Sequence, residues 1–422
     1  MTARVAIVTA GHLATCPRML KAADALAGAG YRVRVVSGRS VAWATAADED
    51  VRSERAGQWE WTVVDGDRRS APGSYFWSGA RYHASRAVAR GLGRAAIPLA
   101  LAARAYARAH TELLRAALQQ PADLYYGGTS GALAAVAAAA RRARVPYALD
   151  LEDFHSGESD DPAAAPLVHA LARGIERAIL PRAAFLTASS AAIGRAYAER
   201  YGVRPVLVHN AFSLPDRAPE LGPAAGSGLK LYWFGQTIGP GRGLEDAVRA
   251  VGLAGISAEL HLRGLAVPGY LDSLGRLGGD AAPRLAIIHH APASPDRMVE
   301  LCRGYDVGLA LEQGHIANRA WCLTNKAFTY ILAALAVAFT DTPGQRRLAL
   351  DLAEGAILYR PADVAALAAG LRRWEADRGL LLRAKAAAWE AARRRWHWEH
   401  REERGALLDA VAAALGSRVP CA

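Results

Sequence analysis

The sequence predicts an α/β protein with two doubly wound domains, each built around a parallel sheet. One observation is a strand–helix–strand pattern at the start of the chain, with an apolar run at 5–8 and a second strand pattern at 31–37 around an amphipathic stretch over 17–28. A second is that this alternation restarts after residues 214–228, which are rich in Pro, Gly and Ala. The third is size, since 422 residues of which 52% are hydrophobic can fill two large cores. Such sheets bind ligands at the carboxyl ends of their strands.

The remaining strand patterns define the two domains. In the first domain, residues 1–213, they fall at 123–126, 146–149, 185–188 and 205–208. In the second they fall at 231–234, 258–263, 285–289, 307–311 and 335–340. Residues 214–228 are the predicted linker, and two domains of similar size would leave a cleft between them.

Composition and charge exclude several classes of protein. The apolar content excludes a disordered, collagen-like or disulfide-scaffold chain. The net charge of +11 favours anionic partners, but a bias in base composition explains the abundance of Arg and Ala equally well. No module interleaves basic and stacking aromatic residues, so nucleic acid is not an expected partner.

The predicted location is cytoplasmic. No apolar run reaches the roughly 18 residues that a bilayer span requires, and the N-terminal residues do not resemble a cleavable signal. The four cysteines have neither metal-ligand nor redox-motif spacing, as expected in a reducing compartment.

Two segments of the second domain could bind an anion. Residues 234–245 are rich in glycine and lead into a helix near Leu244, so backbone N–H groups and Arg242 could meet a phosphate. The alternative is a tight turn with a solvated arginine. Lys326 falls in the first turn of a helix capped by Thr324, where a cation is unfavourable for the helix dipole; a plain surface lysine is the alternative.

An acidic segment follows a strand of the first domain. Glu152, Asp153 and His155 could bind hydroxyl groups, hold a metal or move protons, or form a solvated loop that caps the next helix. A metal is disfavoured because no second acidic cluster is obvious. Asn210, at the end of this domain, is either part of an Asx turn or a hydrogen-bonding residue in the cleft.

Together these segments resemble GT-B-fold glycosyltransferases of the retaining, family 4-like group. Residues 11–33 are similar to the group's first β–α–β unit, 233–245 to its phosphate loop, and 325–344 to its donor-site helix, strand and turn. The resemblance covers nearly the whole chain and is weakest over 40–120. It implies two Rossmann-like domains facing a central cleft: 1–213 for the acceptor, 229–395 for a nucleotide-sugar, and a C-terminal helix, 396–422, that returns to the first domain.

The resemblance also implies the roles of individual residues. Arg242 stands at one of the group's two usual cation positions, and Gln236 replaces the other. Thr329 replaces a glutamate that commonly bonds the ribose, a contact that Glu312 could take over, while Lys326 could restore a charge. The donor-binding residues are then Gly235, Gln236, Thr237, Gly241, Gly243, Glu312, Asn325 and Thr329.

The implied reaction is transfer of a sugar with retention, in which Arg242 and Lys326 stabilise the leaving group. Glu152 stands where the group often has a histidine, so it and His155 are expected to face the reacting sugar. The acceptor-side residues are Gly11, His12, Arg18, Asp153 and Asn210. No metal or other cofactor is implied, and the acceptor is a saccharide, a lipid-linked molecule or a small molecule.

Two other functions remain open. A nucleotide-sugar epimerase on the same fold would turn over its substrate without an acceptor. A binding protein that has lost turnover would fit the replacements at Gln236 and Thr329.

A peripheral contact with the inner face of a membrane is a further prediction. Arginines recur at helical spacing after an aromatic triplet at 75–77. They are Arg86, Arg90, Arg94, Arg104 and Arg108. Four tryptophans near the C-terminus could serve the same surface, although packing of the last helix on the first domain would also explain them. The alternative for the whole stretch is an ordinary packed helix with a solvated arginine face.

Overall fold

The computed structural model describes residues 2–93, 97–157, 165–222, 228–314 and 316–416, in which the chain divides into two compact units. The first unit ends at His209 and resumes at Arg401, and the second covers Asn210–His400. The chain therefore crosses from one unit to the other twice, a few residues from the domain ends predicted at 213 and 395.

The first unit contains a parallel sheet whose strands alternate with helices. Its strands are β1 (Arg4–Thr9), β2 (Arg32–Arg39), β3 (Glu60–Asp65), β4 (Leu124–Gly128), β5 (Tyr147–Leu151), β6 (Phe185–Ala188) and β7 (Val206–Leu207). Its helices before the first crossing are α1 (Pro17–Gly28), α2 (Ala42–Glu54), α3 (Pro72–Gly91), α4 (Leu99–Tyr106), α5 (His110–Ala117), α6 (Leu133–Ala143), α7 (Pro166–Ile179) and α8 (Ala191–Tyr201). The strand order, β3-β2-β1-β4-β5-β6-β7, reverses between β1 and β4.

The second unit repeats this design. Its strands are β8 (Leu229–Ile238), β9 (Ala258–Ala266), β10 (Leu285–His290), β11 (Val307–Ala310), β12 (Ala336–Thr340) and β13 (Ala356–Tyr359). Its helices are α9 (Leu244–Ala254), α10 (Tyr270–Ala281), α11 (Met298–Cys302), α12 (Ala317–Trp321), α13 (Asn325–Leu332), α14 (Arg346–Asp351), α15 (Val364–Ala376) and α16 (Arg378–Arg394). The order is β10-β9-β8-β11-β12-β13, again all parallel, and it reverses between β8 and β11.

The second sheet is buried on both faces. Successive residues of a strand point to opposite faces, so Leu231 and Trp233 enter one apolar cluster while Tyr232 and Phe234 enter the other. A strand covered on both sides needs apolar residues at every position, which is why these strands read as continuous apolar runs in the sequence.

The last described part of the chain returns to the first unit. A π-helical turn at Arg401–Gly405 leads into α17 (Ala406–Ala414), which contacts β6 and β7. The fully buried carboxylate of Glu403 accepts hydrogen bonds from the backbone N–H of His209 at 2.6 Å and from its ring Nδ1 at 2.8 Å. These hydrogen bonds join the two points at which the chain crosses between the units.

The structure corrects the interpretation of the C-terminal tryptophans. Trp374, Trp396 and Trp398 are buried within the second unit, where Trp374 and Trp396 belong to its two apolar clusters. Because these three side chains are buried, they do not form an exposed membrane surface. None of the helices in the described ranges is both long enough and apolar enough to span a bilayer.

The strands expected from the sequence are present, within a few residues of their predicted ends. The elements that the sequence pattern missed lie mainly between residues 40 and 120, together with β13. The predicted linker is tied to the second unit, since the N–H of Leu214 donates to Glu399 at 3.1 Å and Lys385 Nζ donates to the carbonyl of Gly222 at 2.7 Å. Linker residues 223–227 lie outside the described residues.

Candidate functional site

The predicted donor residues of the second unit surround the ends of β8 and β11, where the strand order reverses. Glu312 comes just after β11 and is buried. Its carboxylate accepts a hydrogen bond from Lys326 Nζ of α13 at 3.0 Å and from Arg319 Nη1 of α12 at 3.1 Å. The topology thus gathers three charged groups from three separate segments at one position.

This cluster carries an excess of positive charge. Burial acts to raise the pKa of the Glu312 carboxyl, but neighbouring cations outweigh it and lower the pKa; they are Lys326, Arg319 and Arg242. Burial and the charge of Arg319 lower the pKa of the half-buried Arg242 guanidinium. Lys326 and Arg319 therefore share one carboxylate, Arg242 interacts with it electrostatically, and a bound anion would relieve the repulsion between the two arginines.

The loop that carries Arg242 approaches the end of β11 closely. Gly241 and Gly243 have φ values of +71° and +74°, in the left-handed region that favours glycine. A Cβ on Gly243 would lie 2.7 Å from Leu311 Cβ and 2.6 Å from Gln313 Nε2. Gly243 is also the N-cap residue of α9 and has no side chain with which to cap it. The backbone N–H groups of the first turn therefore need another acceptor, a role that a phosphate fills well.

Gly243→Ala is expected to disrupt this approach and to destabilise the second unit by about 1–3 kcal/mol, because the strained φ adds to the steric contact. Gly255→Ala is the matched control: Gly255 has a φ of +67°, but an added Cβ there meets nothing within 4 Å. Urea unfolding of both variants measures the difference. Equal losses of stability would show that the approach of the loop to β11 contributes nothing.

The other predicted donor residues differ in accessibility. Gln236 and Thr237 are exposed, at a register shift of β8 against β9 that falls between Phe234 and Thr237. Asn325 is partly buried at the start of α13. Thr329 is fully buried, and its hydroxyl donates to the carbonyl of Asn325 at 3.0 Å, so it is committed to its own helix.

In the first unit, Arg18 and Asp150 form a buried ion pair between α1 and β5. Arg18 Nε and Nη2 donate to the two carboxylate oxygens at 2.8 and 2.5 Å, and Nη1 donates to the carbonyl of Val208 at 2.7 Å. Thr187 Oγ1 donates to the same carboxylate at 2.5 Å. Arg18, predicted on the acceptor side, thus has all three of its donor nitrogens engaged and fixes the end of β5.

The segment that follows β5 carries the predicted acidic residues. Burial and the charge of Asp153 raise the pKa of the partly buried Glu152 carboxyl to about 7. Burial and the charge of Arg18 lower the pKa of the nearby Lys21 ammonium, also to about 7. A carboxyl and an amine that both titrate near neutrality are typical of sites that exchange protons.

Tyr197 of α8 holds this acidic segment in place. Its buried hydroxyl accepts from the backbone N–H of His155 at 3.1 Å and donates to the carbonyl of Asp153 at 3.1 Å. The same hydroxyl lies 2.9 Å from the buried carboxyl of Glu176 on α7. The hydroxyl of Ser189 donates to the carbonyl of Glu152. Glu152, Asp153 and His155 therefore sit on a loop with a fixed backbone.

Of the other predicted acceptor-side residues, His12 has a structural environment. Its buried ring donates from Nδ1 to Asp48 at 2.7 Å and accepts at Nε2 from the N–H groups of Ser40 and Val41. Both ring nitrogens are thereby used in the junction between β1 and α2. Gly11 lies beside it, on the loop after β1. Asn210 is buried and is the first residue of the second unit rather than part of the first.

Three site residues could not be assigned from the sequence. Arg319 shares Glu312 with Lys326, Lys21 lies close to Glu152, and the ring of Trp233 lies 5.4 Å from Lys326 Nζ. The Asn-Arg pair at 318–319, a few residues before the helix start at Thr324, is the sequence signal that could have indicated Arg319. Within the described ranges, His, Cys, Asp and Glu side chains form no group of three that could hold a metal ion.

Two doubly wound parallel units of this kind are the architecture of the GT-B fold, and solved glycosyltransferase structures share it. Anabaena HepE, crystallised with UDP and glucose, aligns with a TM-score of 0.62 at 14% identity over 98% of this chain and 99% of its own. Sucrose-phosphate synthase from Thermosynechococcus elongatus aligns with a TM-score of 0.66 at 13% identity over 97% and 98%. S. aureus TarM gives a TM-score of 0.66 at 7% identity over 99% and 100%.

Residues 17–211 match the family model described as a glycosyl transferase 4-like domain. The first unit is therefore similar to that domain over these residues, and the predicted resemblance to family 4-like, GT-B-fold glycosyltransferases is confirmed. No curated protein has a significantly similar sequence.

Proposed function

We propose that this protein transfers a sugar from a nucleotide-sugar to a hydroxyl group of a saccharide, lipid-linked or small-molecule acceptor. The second unit binds the donor and the first unit binds the acceptor. The observation that carries the proposal is the arrangement of Arg242, Arg319 and Lys326 around the single buried carboxylate of Glu312.

The charge of this cluster matches a diphosphate. Three cations and one carboxylate leave two positive charges, about the charge that a bound nucleoside diphosphate group would neutralise. As the bond to the sugar breaks, negative charge grows on the leaving diphosphate. Arg242, Lys326 and the first turn of α9 would stabilise that charge without rearranging.

Retention of configuration and a reaction without a metal are proposed from the family resemblance. On the acceptor side, Glu152 and His155 face the reacting sugar in this proposal. Tyr197 supports that role by fixing the backbone of their loop. The carboxylate form of Glu152 would stabilise positive charge that develops on the sugar ring.

The first experiment is a thermal-shift panel of nucleotide-sugars, starting with UDP-glucose because HepE has been crystallised with it. A ligand that binds the native state raises the melting temperature by mass action. Donors that bind are then incubated with and without acceptors, with and without a chelator, and the products are analysed by NMR. Turnover without an acceptor would instead indicate an epimerase, and binding without turnover would indicate a binding protein.

Glu152→Gln is expected to lower kcat by about 10²-fold while leaving donor affinity nearly unchanged, since the carboxylate acts in the transition state. The wild-type rate should rise with pH through about 7, where the carboxyl ionises, and the variant should lack that rise. Asp123→Asn, an exposed carboxylate elsewhere in the same unit, is the control. Equal losses in kcat and donor affinity would remove Glu152 from the reaction.

The same pKa predicts the direction of a stability effect. The pKa of Glu152 is raised from 4.5 to about 7, so the folded state binds its proton more tightly than the unfolded state does. The free energy of unfolding should therefore fall as pH rises from 4.5 to about 7, and Glu152→Gln should reduce that fall. Urea unfolding across this range measures it.

A further inference from the structure

Helix α3 presents an apolar face to solvent. One side of the helix packs on the first unit through Ser78, Ser85 and Ala89, which are buried. The opposite side consists mainly of Phe76, Trp77, Ala80, Ala84, Ala87 and Val88, all exposed. Phe76 is 64% exposed, Trp77 63% and Val88 54%. At about 100° per residue these positions form one continuous face, which is unusual for a helix whose surroundings are water alone.

The chain around this face carries a single sign of charge. From Arg68 to Thr111 the sequence contains eight arginines and no aspartate or glutamate. Arg90 is exposed beside the apolar face, and Arg104 is exposed on α4, the helix that packs against α3. One cation thus lies beside the apolar face on α3 and another on the neighbouring helix.

Of the arginines that the sequence predicted as the membrane contact, the structure leaves Arg90 and Arg104 exposed and engages two others in contacts with α3. Arg86 lies over the ring of Tyr82, at 5.2 Å from its centroid, and Arg108 donates to Ser78 Oγ at 3.1 Å. Arg94 lies outside the described residues. Arg86 and Arg108 are therefore both engaged with residues of α3, and the exposed aromatic residues are the main feature of the surface.

We propose that the outer face of α3 docks on an anionic lipid bilayer, with Phe76 and Trp77 inserted at the headgroup level and Arg90 and Arg104 contacting phosphates. Amphipathic helices with aromatic and basic residues bind membranes in this manner. A second copy of the chain fits less well, because a symmetric contact would place the same basic residues against each other. The proposal concerns binding alone and does not depend on the proposed reaction.

The test is co-sedimentation of the full chain with vesicles of phosphatidylcholine alone and with vesicles containing equal parts of phosphatidylcholine and phosphatidylglycerol. We expect binding to the anionic vesicles only, weakened by salt because screening shortens the range of the arginine charges. Phe76→Ser with Trp77→Ser should reduce the binding constant by at least about tenfold. Arg90→Glu with Arg104→Glu should reduce it as well and should remove most of the salt dependence.

Matched control variants distinguish binding through this surface from nonspecific hydrophobic adsorption and from the effect of net charge. Leu253→Ser with Leu350→Ser removes side chains of similar exposure, 55% and 65%, from the second unit. Arg276→Glu with Arg284→Glu makes the same charge change there. Both control pairs should bind vesicles as the wild type does.

A second readout locates the contact. Brominated lipids should quench part of the tryptophan fluorescence of the wild type, and Trp77→Phe should lose that quenching. The proposal is overturned by an absence of vesicle binding, by equal binding to neutral vesicles, or by binding that the double serine variant retains. If the wild type does not bind vesicles but forms a dimer, and the double serine variant is a monomer, the face serves self-association and the proposal is overturned.

Discussion

Arg242→Ala should lower kcat/KM for sugar transfer by about 10²–10³-fold, the effect of removing one charge-stabilising donor from a site where negative charge develops. Because Arg242 is half-buried in a glycine loop, its removal should leave the free energy of unfolding nearly unchanged. Steady-state kinetics with a confirmed donor measures the loss, and Arg276→Ala, at an exposed position of the same unit, is the control. An unchanged rate would contradict the donor assignment.

Lys326→Ala should also lower the rate of sugar transfer. Unlike Arg242→Ala, it should reduce the stability of the protein as well. Lys326 is buried against Glu312, so its loss leaves a buried carboxylate with a weaker set of partners. We therefore expect a lower unfolding midpoint for Lys326→Ala and not for Arg242→Ala. If both variants unfold like the wild type, Lys326 is not a partner of Glu312 in solution.

Asp150→Ala should cost about 3–5 kcal/mol of unfolding free energy, because it leaves the Arg18 guanidinium buried without its carboxylate. The side chains of this pair are 5% and 1% exposed. Denaturant unfolding, followed by a probe in the first unit, should show the shift. The variant should also weaken transfer, since Asp150 is the second-last residue of the strand that leads into the acidic segment.

The chain provides its own comparison for this prediction. Arg4 and Asp123 form a similar ion pair in the same unit, but their side chains are 45% and 39% exposed. Asp123→Ala should therefore cost no more than about 1 kcal/mol. Similar costs for the two substitutions would show that burial of the Arg18 pair adds nothing to its strength.

The architecture could be predicted because buried parallel strands leave a strong local signal. The runs at 5–8 and 231–234 are apolar at every position, which both-sided burial requires. Residues 40–120 were harder, since β3 is only partly buried and α3 has an exposed apolar face, so neither follows the pattern of its type. The local periodicity of apolar residues reflects which side of an element is buried. These two elements do not have the usual buried and exposed sides, so their periodicity is weak.

Site residues could be predicted from the sequence where several residues suited to ligand binding lie in one segment. The glycine loop with Arg242 and the pair Asn325-Lys326 each carry a local signal. The partnership of Glu312 with Arg319 and Lys326 joins three segments, and the pKa of Glu152 depends on residues from other elements. Neither the contacts of Glu312 nor the raised pKa of Glu152 can be inferred without the three-dimensional structure. His12 illustrates the converse, because a histidine at a strand end can be fully used by neighbouring backbone.

The pairing of His209 with Glu403 has a consequence for how the protein is made. The two residues are 194 positions apart, and the whole second unit is translated between them. The first unit therefore remains without α17, and His209 without the carboxylate of Glu403, until these last residues have been synthesised. Contacts of such long range slow folding, and domains otherwise tend to form in order of synthesis. The second unit, although later in sequence, is continuous and can be complete first, so the nascent first unit is the part that needs protection from aggregation.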